Sequence, residues 1–258
     1  MGMATRASNS CLLLPLALAI VVAAGSTAAA PATAAPPASP PFRTVYAFGD
    51  SFTDTGNTHS TTGPYSFGYV SSPPYGATFF HRSTNRYSDG RLVVDFLAEA
   101  LKLPSFLPPY LSVSSTAASN TSAADQAEEV GVNFAVAGAT AIEHDFFARN
   151  NLSFDITPQS IMTQLGWFDA HLRAAAGNGK GSKTNNKVGD ALFWVGEIGA
   201  NDYAYTVVAR DTIPPKIVRD MAVQRLTTFV AGMFFQGGDA YCRPSFSDLL
   251  ARKAQGKP

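Results

Sequence analysis

The sequence has few cysteines, no excess of either charge and no apolar run of the length that spans a bilayer. Cys11 and Cys242 are the only cysteines among 258 residues, too few for a disulfide scaffold or a structural zinc site. Lys plus Arg and Asp plus Glu number 19 each, so no net field attracts nucleic acid or an anionic membrane. Disulfide-rich and nucleic-acid-binding classes are therefore excluded, and we expect neither a metal nor a cofactor.

The N-terminal segment has the pattern of a cleaved secretory leader. Arg6 precedes an apolar run from Cys11 to Ala24, and small residues follow it. A membrane helix is the alternative, but the run is shorter than the ~20 apolar residues of a bilayer span. We expect a signal peptide over residues 1–28, secretion to the extracellular space and no stable membrane insertion. A solvated linker rich in proline and alanine is expected over residues 29–41.

Apolar strands alternate with amphipathic helices over residues 42–235. Strands are predicted at residues 44–48, 130–136 and 191–195, and helices start near Ser88, Pro158 and Pro214. The apolar faces of the three helices comprise Val93, Phe96, Leu97, Ala100 and Leu101; Ile161, Leu165, Phe168 and Leu172; and Val218, Ala222, Leu226, Phe229 and Met233. Because parallel strands need helical crossovers, the pattern predicts an α/β fold with a mainly parallel sheet.

Three loops follow the predicted strands and carry groups that suit acyl transfer. Segments 49–51, 137–139 and 199–202 contain a serine hydroxyl, a backbone N–H beside a glycine and a side-chain amide. Acyl transfer needs a nucleophile and donors fixed where the oxyanion develops. Each segment alone is more typical of a turn or a helix cap. Their occurrence at three strand ends, where α/β sheets bind ligands, favours one shared site.

These segments resemble the GDSL or SGNH hydrolases, and specifically the secreted plant-type GDSL esterase/lipases. The nucleophile block of that family is similar to Phe48–Asn57, its second block to Gly131–Thr140 and its third to Val195–Tyr203. Tyr75–Phe80, followed by Arg86–Asp95, is similar to the family's stretch after the first block. The resemblance implies a three-layer α/β/α, flavodoxin-like fold and the hydrolysis of acyl or acetyl esters. It implies a small-molecule ester of lipid, sugar or phenolic type as substrate.

The resemblance also implies the roles of individual residues. Ser51 is the implied nucleophile. The backbone N–H groups of Ser51 and Gly138 and the side-chain amide of Asn201 form the implied oxyanion hole.

The sequence departs from the family at the general base. The family places a histidine three residues after an aspartate, and Asp-x-x-His occurs nowhere in this chain. The four histidines are His59, His81, His144 and His171. We expect His171 to be exposed on its helix, His144 to lie in a surface loop, and His59 and His81 to lie in the long loop that ends near residue 88. No general base histidine or aspartate is assigned.

The last predicted segment, residues 236–258, contains no fourth strand-like run. We expect an unrelated polar tail there and a sheet that is incomplete at its C-terminal part. The predicted protein is a monomeric GDSL-type serine ester hydrolase with weak or no activity. The alternative is a non-catalytic secreted scaffold or binding protein. Asn120 and Asn151 begin glycosylation sequons and are the expected glycan sites.

Overall fold

A computed structural model gives the three-dimensional structure of the chain. The structure describes residues 20–23, 42–66, 68–116, 127, 129–151, 157–175, 188, 191–208 and 213–237. The strands are β1 Ile20–Ala23, β2 Thr44–Phe48, β3 Gly131–Asn133 and β4 Ala191–Val195. The helices of the described part are α1 Asn57–Ser66, α2 Val93–Ala100, α3 Tyr110–Thr116, α4 His144–Arg149, α5 Ile161–Ala175, α6 Ala200–Val208 and α7 Pro215–Gly237, with a 3₁₀ turn at Gly68–Ser71.

The four strands form one sheet in the order β1-β4-β2-β3. β2 lies in the middle and is parallel to both β3 and β4, with Tyr46 opposite Val132 on one side and Phe193 on the other. Because β2, β3 and β4 run the same way, their carboxyl ends lie at one edge of the sheet. The predicted α/β fold with a mainly parallel sheet is confirmed.

β1 is antiparallel to β4 and pairs Ile20 with Val195. This strand lies within residues 1–28, the predicted signal peptide, and cleavage there would leave β4 paired with β2 alone among the described strands. The signal peptide itself stays a prediction. Among the helices of the described residues, none combines the length and apolar character needed to cross a bilayer.

Helices cover both faces of the parallel strands, which makes three layers. All five residues of β2 are buried, because alternate side chains point to opposite faces and both faces are covered. Tyr46 and Phe48 pack on the side of α5 and α7, with Ile161, Leu165, Phe168, Phe229 and Met233. Val45 and Ala47 pack on the other side, with Leu92, Val94, Leu107, Val130, Leu192 and Trp194.

The long helices on the first face agree with the predicted periodicity. Ile161, Leu165 and Phe168 of α5 are buried, as are Val218 and Phe229 of α7. β2 and β4 have the predicted bounds, whereas regular pairing of β3 ends at Asn133. The long loop expected after β2 is partly wrong, because it contains α1 and the 3₁₀ turn.

The predicted apolar face of α2 is only partly right: Leu97 and Leu101 pack against the core, but other members of the face are exposed. Val93 and Phe96 are 61% and 49% exposed, and the buried positions are Val94, Asp95 and Ala98. Asp95 accounts for the difference, because its carboxylate accepts the Leu92 N–H at the start of the helix. The same carboxylate pairs with the buried Arg86 guanidinium at 2.8 and 2.9 Å. A buried bidentate ion pair therefore sets the orientation of α2, which begins at Val93 and not near Ser88 as predicted.

Candidate active site

A tight turn at the end of β2 presents Ser51. The Asp50 carbonyl accepts N–H bonds from Thr53 at 3.0 Å and Asp54 at 2.9 Å, and the Asp50 carboxyl accepts the Phe52 N–H at 3.0 Å. These bonds reverse the chain around Ser51, which is half-buried beside the exposed Phe52. The turn therefore holds the serine at the carboxyl edge of the sheet.

A buried amide fixes the residue at which this turn begins. Gln164 of α5 is fully buried, and its Oε1 accepts the Gly49 N–H at 3.0 Å. Its Nε2 donates to the Gly49 carbonyl at 2.8 Å. Gly49 has φ +142°, a backbone conformation that side-chain-bearing residues rarely adopt. The two bonds tie α5 to the backbone two residues before Ser51.

The second segment is held to the first by the Asp54 carboxylate. Asp54 accepts N–H bonds from Gly56, Asn57 and Thr58 at the start of α1, and one from Ala137 at 2.9 Å. The Thr58 hydroxyl also donates to it. One buried carboxylate thus caps α1 and places the residue before Gly138.

Gly138 lies where no larger residue fits. Its φ is +79°, and a Cβ built on it would lie 2.4 Å from Thr157 Oγ1 and 2.9 Å from the Tyr205 hydroxyl. Tyr205 donates to the Gly138 carbonyl at 3.0 Å, and Thr157 donates to the Ala137 carbonyl at 2.8 Å. Because the N–H and C=O of a trans peptide point in opposite directions, the Gly138 N–H points away from the Thr157 hydroxyl that binds the Ala137 carbonyl.

Asn201 of α6 joins all three segments. Its Nδ2 donates to Asp50 Oδ2 and to the Ala139 carbonyl, both at 2.9 Å. Asp50 precedes Ser51 and Ala139 follows Gly138, so the structure brings Ser51, Gly138 and Asn201 together at one edge of the sheet. The next residue, Asp202, is buried and accepts the N–H groups of residues 141 and 142.

The N–H donors differ in their availability. Within the described part of the chain, no group accepts a hydrogen bond from the backbone N–H of Ser51 or of Gly138. Both hydrogens of the Asn201 amide, in contrast, are already bonded. The two backbone donors are thus not engaged by any described residue, and the third donor would have to be released or shared.

Burial governs the ionisation of the acids around the turn. Burial and the adjacent Glu197 carboxyl raise the pKa of Asp50 to about 9. Burial also raises the pKa of Asp202 to about 7, against the two N–H bonds it accepts. For Asp54, burial raises the pKa, while the bonds from Thr58, Gly56 and Ala137 lower it. The site is therefore rich in carboxyl groups, and burial makes each of these three aspartates harder to ionise than an aspartate in water.

No histidine ring is bonded to Ser51 in the part of the chain described. His59 contacts the Ser71 hydroxyl at 3.2 Å, and His81 contacts the Ala77 carbonyl at 3.2 Å. His144 is the first residue of α4, so its placement in a loop was wrong.

The expected exposure of His171 was wrong as well. It is half-buried, and its ring lies 6.0 Å from the rings of Tyr46 and Phe134. Burial lowers its pKa. The ring therefore belongs to the packing between α5 and the sheet.

The predicted glycan sites stay predictions. Asn151 is exposed and follows α4 closely, while Asn120 lies outside the described residues. Residues 238–258, nearly all of the predicted tail, also lie outside them.

Sequence reasoning missed Gln164, Glu197 and Tyr205. A signal existed for Gln164, which occupies the same helix face as Ile161 and Phe168; a polar residue on an otherwise apolar face needs a buried partner. For Glu197 and Tyr205 the sequence offers no comparable pattern, since their partners are set by tertiary contacts.

Comparisons with known proteins agree with this geometry. The family model described as GDSL-like Lipase/Acylhydrolase matches residues 45–231, which include Ser51, Gly138 and Asn201. GDSL esterase/lipase At3g48460 of Arabidopsis thaliana is 52% identical over 200 residues, covering 76% of this chain and 49% of that protein. GDSL esterase/lipase At5g45910, also from Arabidopsis thaliana, is 43% identical over 169 residues, covering 65% of this chain and 43% of that protein.

The chain spans about half the length of the curated relatives it matches. The family model covers most of the chain, with β3, β4, all but the first residue of β2 and all three loop segments inside it. The chain therefore belongs to the GDSL-like lipase/acylhydrolase family.

Proposed function

We propose that this chain provides the nucleophile and the oxyanion donors of a serine ester hydrolase. The observation that carries the proposal is the Asn201 amide, which bonds to the neighbour of Ser51 and to the neighbour of Gly138. A hydroxyl, two open backbone N–H groups and a side-chain amide at one sheet edge are the set that acyl transfer requires. The names of the relatives support the same chemistry.

In the proposed reaction, Ser51 Oγ attacks the ester carbonyl carbon. The new O–C bond makes a tetrahedral intermediate whose oxyanion accepts bonds from the N–H groups of Ser51 and Gly138 and from the Asn201 amide. Collapse breaks the bond to the leaving alcohol and yields an acyl-serine, which water then hydrolyses to release the acid. A base must take the Ser51 proton, and an acid must return a proton to the alcohol.

The general base sets the expected rate. The sequence lacks the Asp-x-x-His of the resembling family, and none of the described histidines is bonded to Ser51. Serine hydrolases without one triad member retain only ~10³ to 10⁴-fold catalysis over water. We therefore propose a weakly active chain acting on small acyl or acetyl esters. A non-catalytic secreted binding protein is the second candidate, favoured by the same missing base.

Secretion, glycosylation at Asn120 and Asn151, and a monomeric state complete the proposal. The leader-like N-terminus and the two sequons support the first two.

Two measurements on one set of variants test the function. The variants are Ser51→Ala and the control Ser71→Ala, which removes an exposed hydroxyl that donates to Asn85 and contacts the His59 ring. Each is incubated with p-nitrophenyl acetate, and separately with a fluorophosphonate whose attachment is mapped by mass spectrometry. We expect slow hydrolysis and slow labelling at Ser51, both lost in Ser51→Ala and kept in Ser71→Ala.

Each other outcome has a defined meaning. Hydrolysis at ordinary enzyme rates that depends on Ser51 would contradict the weak activity. Folded protein that never labels at Ser51 would contradict the hydrolase and favour the binding protein.

A further inference from the structure

Two carboxyl groups, those of Asp50 and Glu197, lie next to the turn that carries Ser51. Asp50 follows β2 and Glu197 follows β4, and these strands are parallel neighbours, so their ends lie side by side. The Asp50 N–H donates to the Glu197 carbonyl at 3.1 Å, and the Gly196 N–H donates to the Phe48 carbonyl at 2.8 Å. These backbone bonds extend the pairing past the strand ends and hold the two side chains within hydrogen-bond reach of each other.

One oxygen of this pair lacks a donor. Asp50 Oδ1 accepts from Phe52 and Oδ2 accepts from Asn201, while Glu197 Oε1 accepts the Ala200 N–H at 3.1 Å. Glu197 Oε2 is buried and accepts no hydrogen bond from any described residue. A buried carboxyl oxygen without a donor is costly, and a proton held between the two carboxyls would supply the missing bond.

The charges around the pair also favour one proton. No lysine, arginine or histidine forms an ion pair with either carboxyl in the described residues. The other titratable groups facing it, Asp202 and Tyr205 of α6, are acids and add no positive charge. Asp50 and the Glu197 Oε2 atom are buried side by side, and two such carboxyls without a cation do not both ionise near neutral pH. Burial and the neighbouring Glu197 carboxyl both raise the pKa of Asp50, so the proton lies mainly on Asp50.

We propose that Asp50 and Glu197 share one proton and together position the Asn201 amide beside Ser51. A neutral Asp50 holds the Asn201 N–H less tightly than a carboxylate would, because bonds to ionised acceptors are about twice as strong. The amide can then be shared with an oxyanion while it stays aligned by the Ala139 carbonyl. This catalytic consequence rests on the proposed function, whereas the shared proton does not.

The proton is detected by pH-dependent stability and by infrared spectroscopy, so the test needs no esterase activity. The useful window lies above the pKa of Asp202, about 7, and below that of Asp50, about 9. In it, native Asp50 keeps a proton that the unfolded chain has lost, so unfolding becomes more favourable as pH rises, by up to ~10-fold per pH unit. Asp50→Asn should abolish this dependence. Glu197→Gln should lower the pKa of Asp50, so the fall in stability should end at a lower pH than in the wild type.

The matched control is Glu99→Gln, which changes an exposed glutamate of α2 that forms an ion pair with Arg91. It should keep the wild-type profile. Wild-type protein at pH 8 should also show the carbonyl stretch of a protonated carboxyl, and this band should be weaker by one group in Asp50→Asn, since the buried Asp54 contributes equally to both proteins. A wild-type profile that is flat between pH 7 and 9, or the absence of that band from wild-type protein, would overturn the proposal.

Both wild-type measurements apply even if Asp50→Asn fails to fold, and Glu197→Gln then provides the comparison. Ser51 labelling is not among the readouts. Failure of the hydrolase function and failure of the shared proton are therefore told apart.

Discussion

Replacing Gln164 by leucine should destabilise the protein by about 2–4 kcal/mol. The substitution removes both hydrogen bonds between Gln164 and Gly49. The buried Gly49 N–H then has no other acceptor among the described residues, whereas the Gly49 carbonyl still accepts the Val136 N–H at 3.2 Å. Each buried group left without a partner costs ~1–3 kcal/mol, and the carbonyl should fall at the low end because one bond remains. Leucine and glutamine are similar in volume, so a cavity adds little.

Gln164→Glu separates the loss of the donor from the loss of the acceptor. A glutamate can still accept the Gly49 N–H, but when ionised it faces the Gly49 carbonyl without a proton to donate. Protonation restores the donor. The variant should therefore be close to wild type at low pH and become less stable as pH rises through the carboxyl pKa.

Urea unfolding at two pH values measures both effects, with Gln224→Leu on the exposed side of α7 as the control. The control should lie within about 0.5 kcal/mol of wild type. A cost below about 1 kcal/mol for Gln164→Leu, or a Gln164→Glu cost that does not change with pH, would refute the bidentate contact.

Three further predictions concern the site and the sheet. Gly138→Ala should lower the thermal unfolding temperature, because its Cβ would lie 2.4 Å from Thr157 Oγ1 at a φ of +79°; an unchanged temperature would contradict that packing. Burial raises the pKa of Asp202 to about 7, so the folded protein loses stability as the pH rises from 4 to 7. Asp202→Asn should remove this part of the pH dependence, and an unchanged slope of the unfolding free energy against pH would contradict the prediction. Removal of residues 1–28 should increase aggregation measured by light scattering, because it exposes the edge of β4, and equal scattering of both forms would refute this.

The sequence was sufficient where one periodic signal dominated. β2 and β4 are continuous apolar runs buried on both faces, and α5 and α7 repeat apolar residues every three or four positions. The same rule held only in part for α2, where Leu97 packs on the core but Asp95 is buried by its pair with Arg86. A count of apolar residues cannot detect a buried ion pair.

The site was predictable in its segments and not in its supporting contacts. Ser51, Gly138 and Asn201 follow strands or open a helix at one sheet edge, which the alternation of strands and helices already implied. Gln164 bonds to a residue 115 positions away, and Glu197 meets Asp50 only because β2 and β4 are neighbours. Such partners depend on strand order and helix docking, which local patterns do not encode.

The rate at which a fluorophosphonate modifies Ser51 tests the convergence of the three segments most directly. Wild-type protein is compared with Asn201→Ala and with Asn150→Ala, an exposed asparagine at the end of α4. If Asn201 serves the oxyanion at Ser51, its loss should slow labelling by ~10² or more, the cost of one oxyanion donor, while Asn150→Ala labels at the wild-type rate. Equal rates for wild type and Asn201→Ala, or attachment at a residue other than Ser51, would contradict the account.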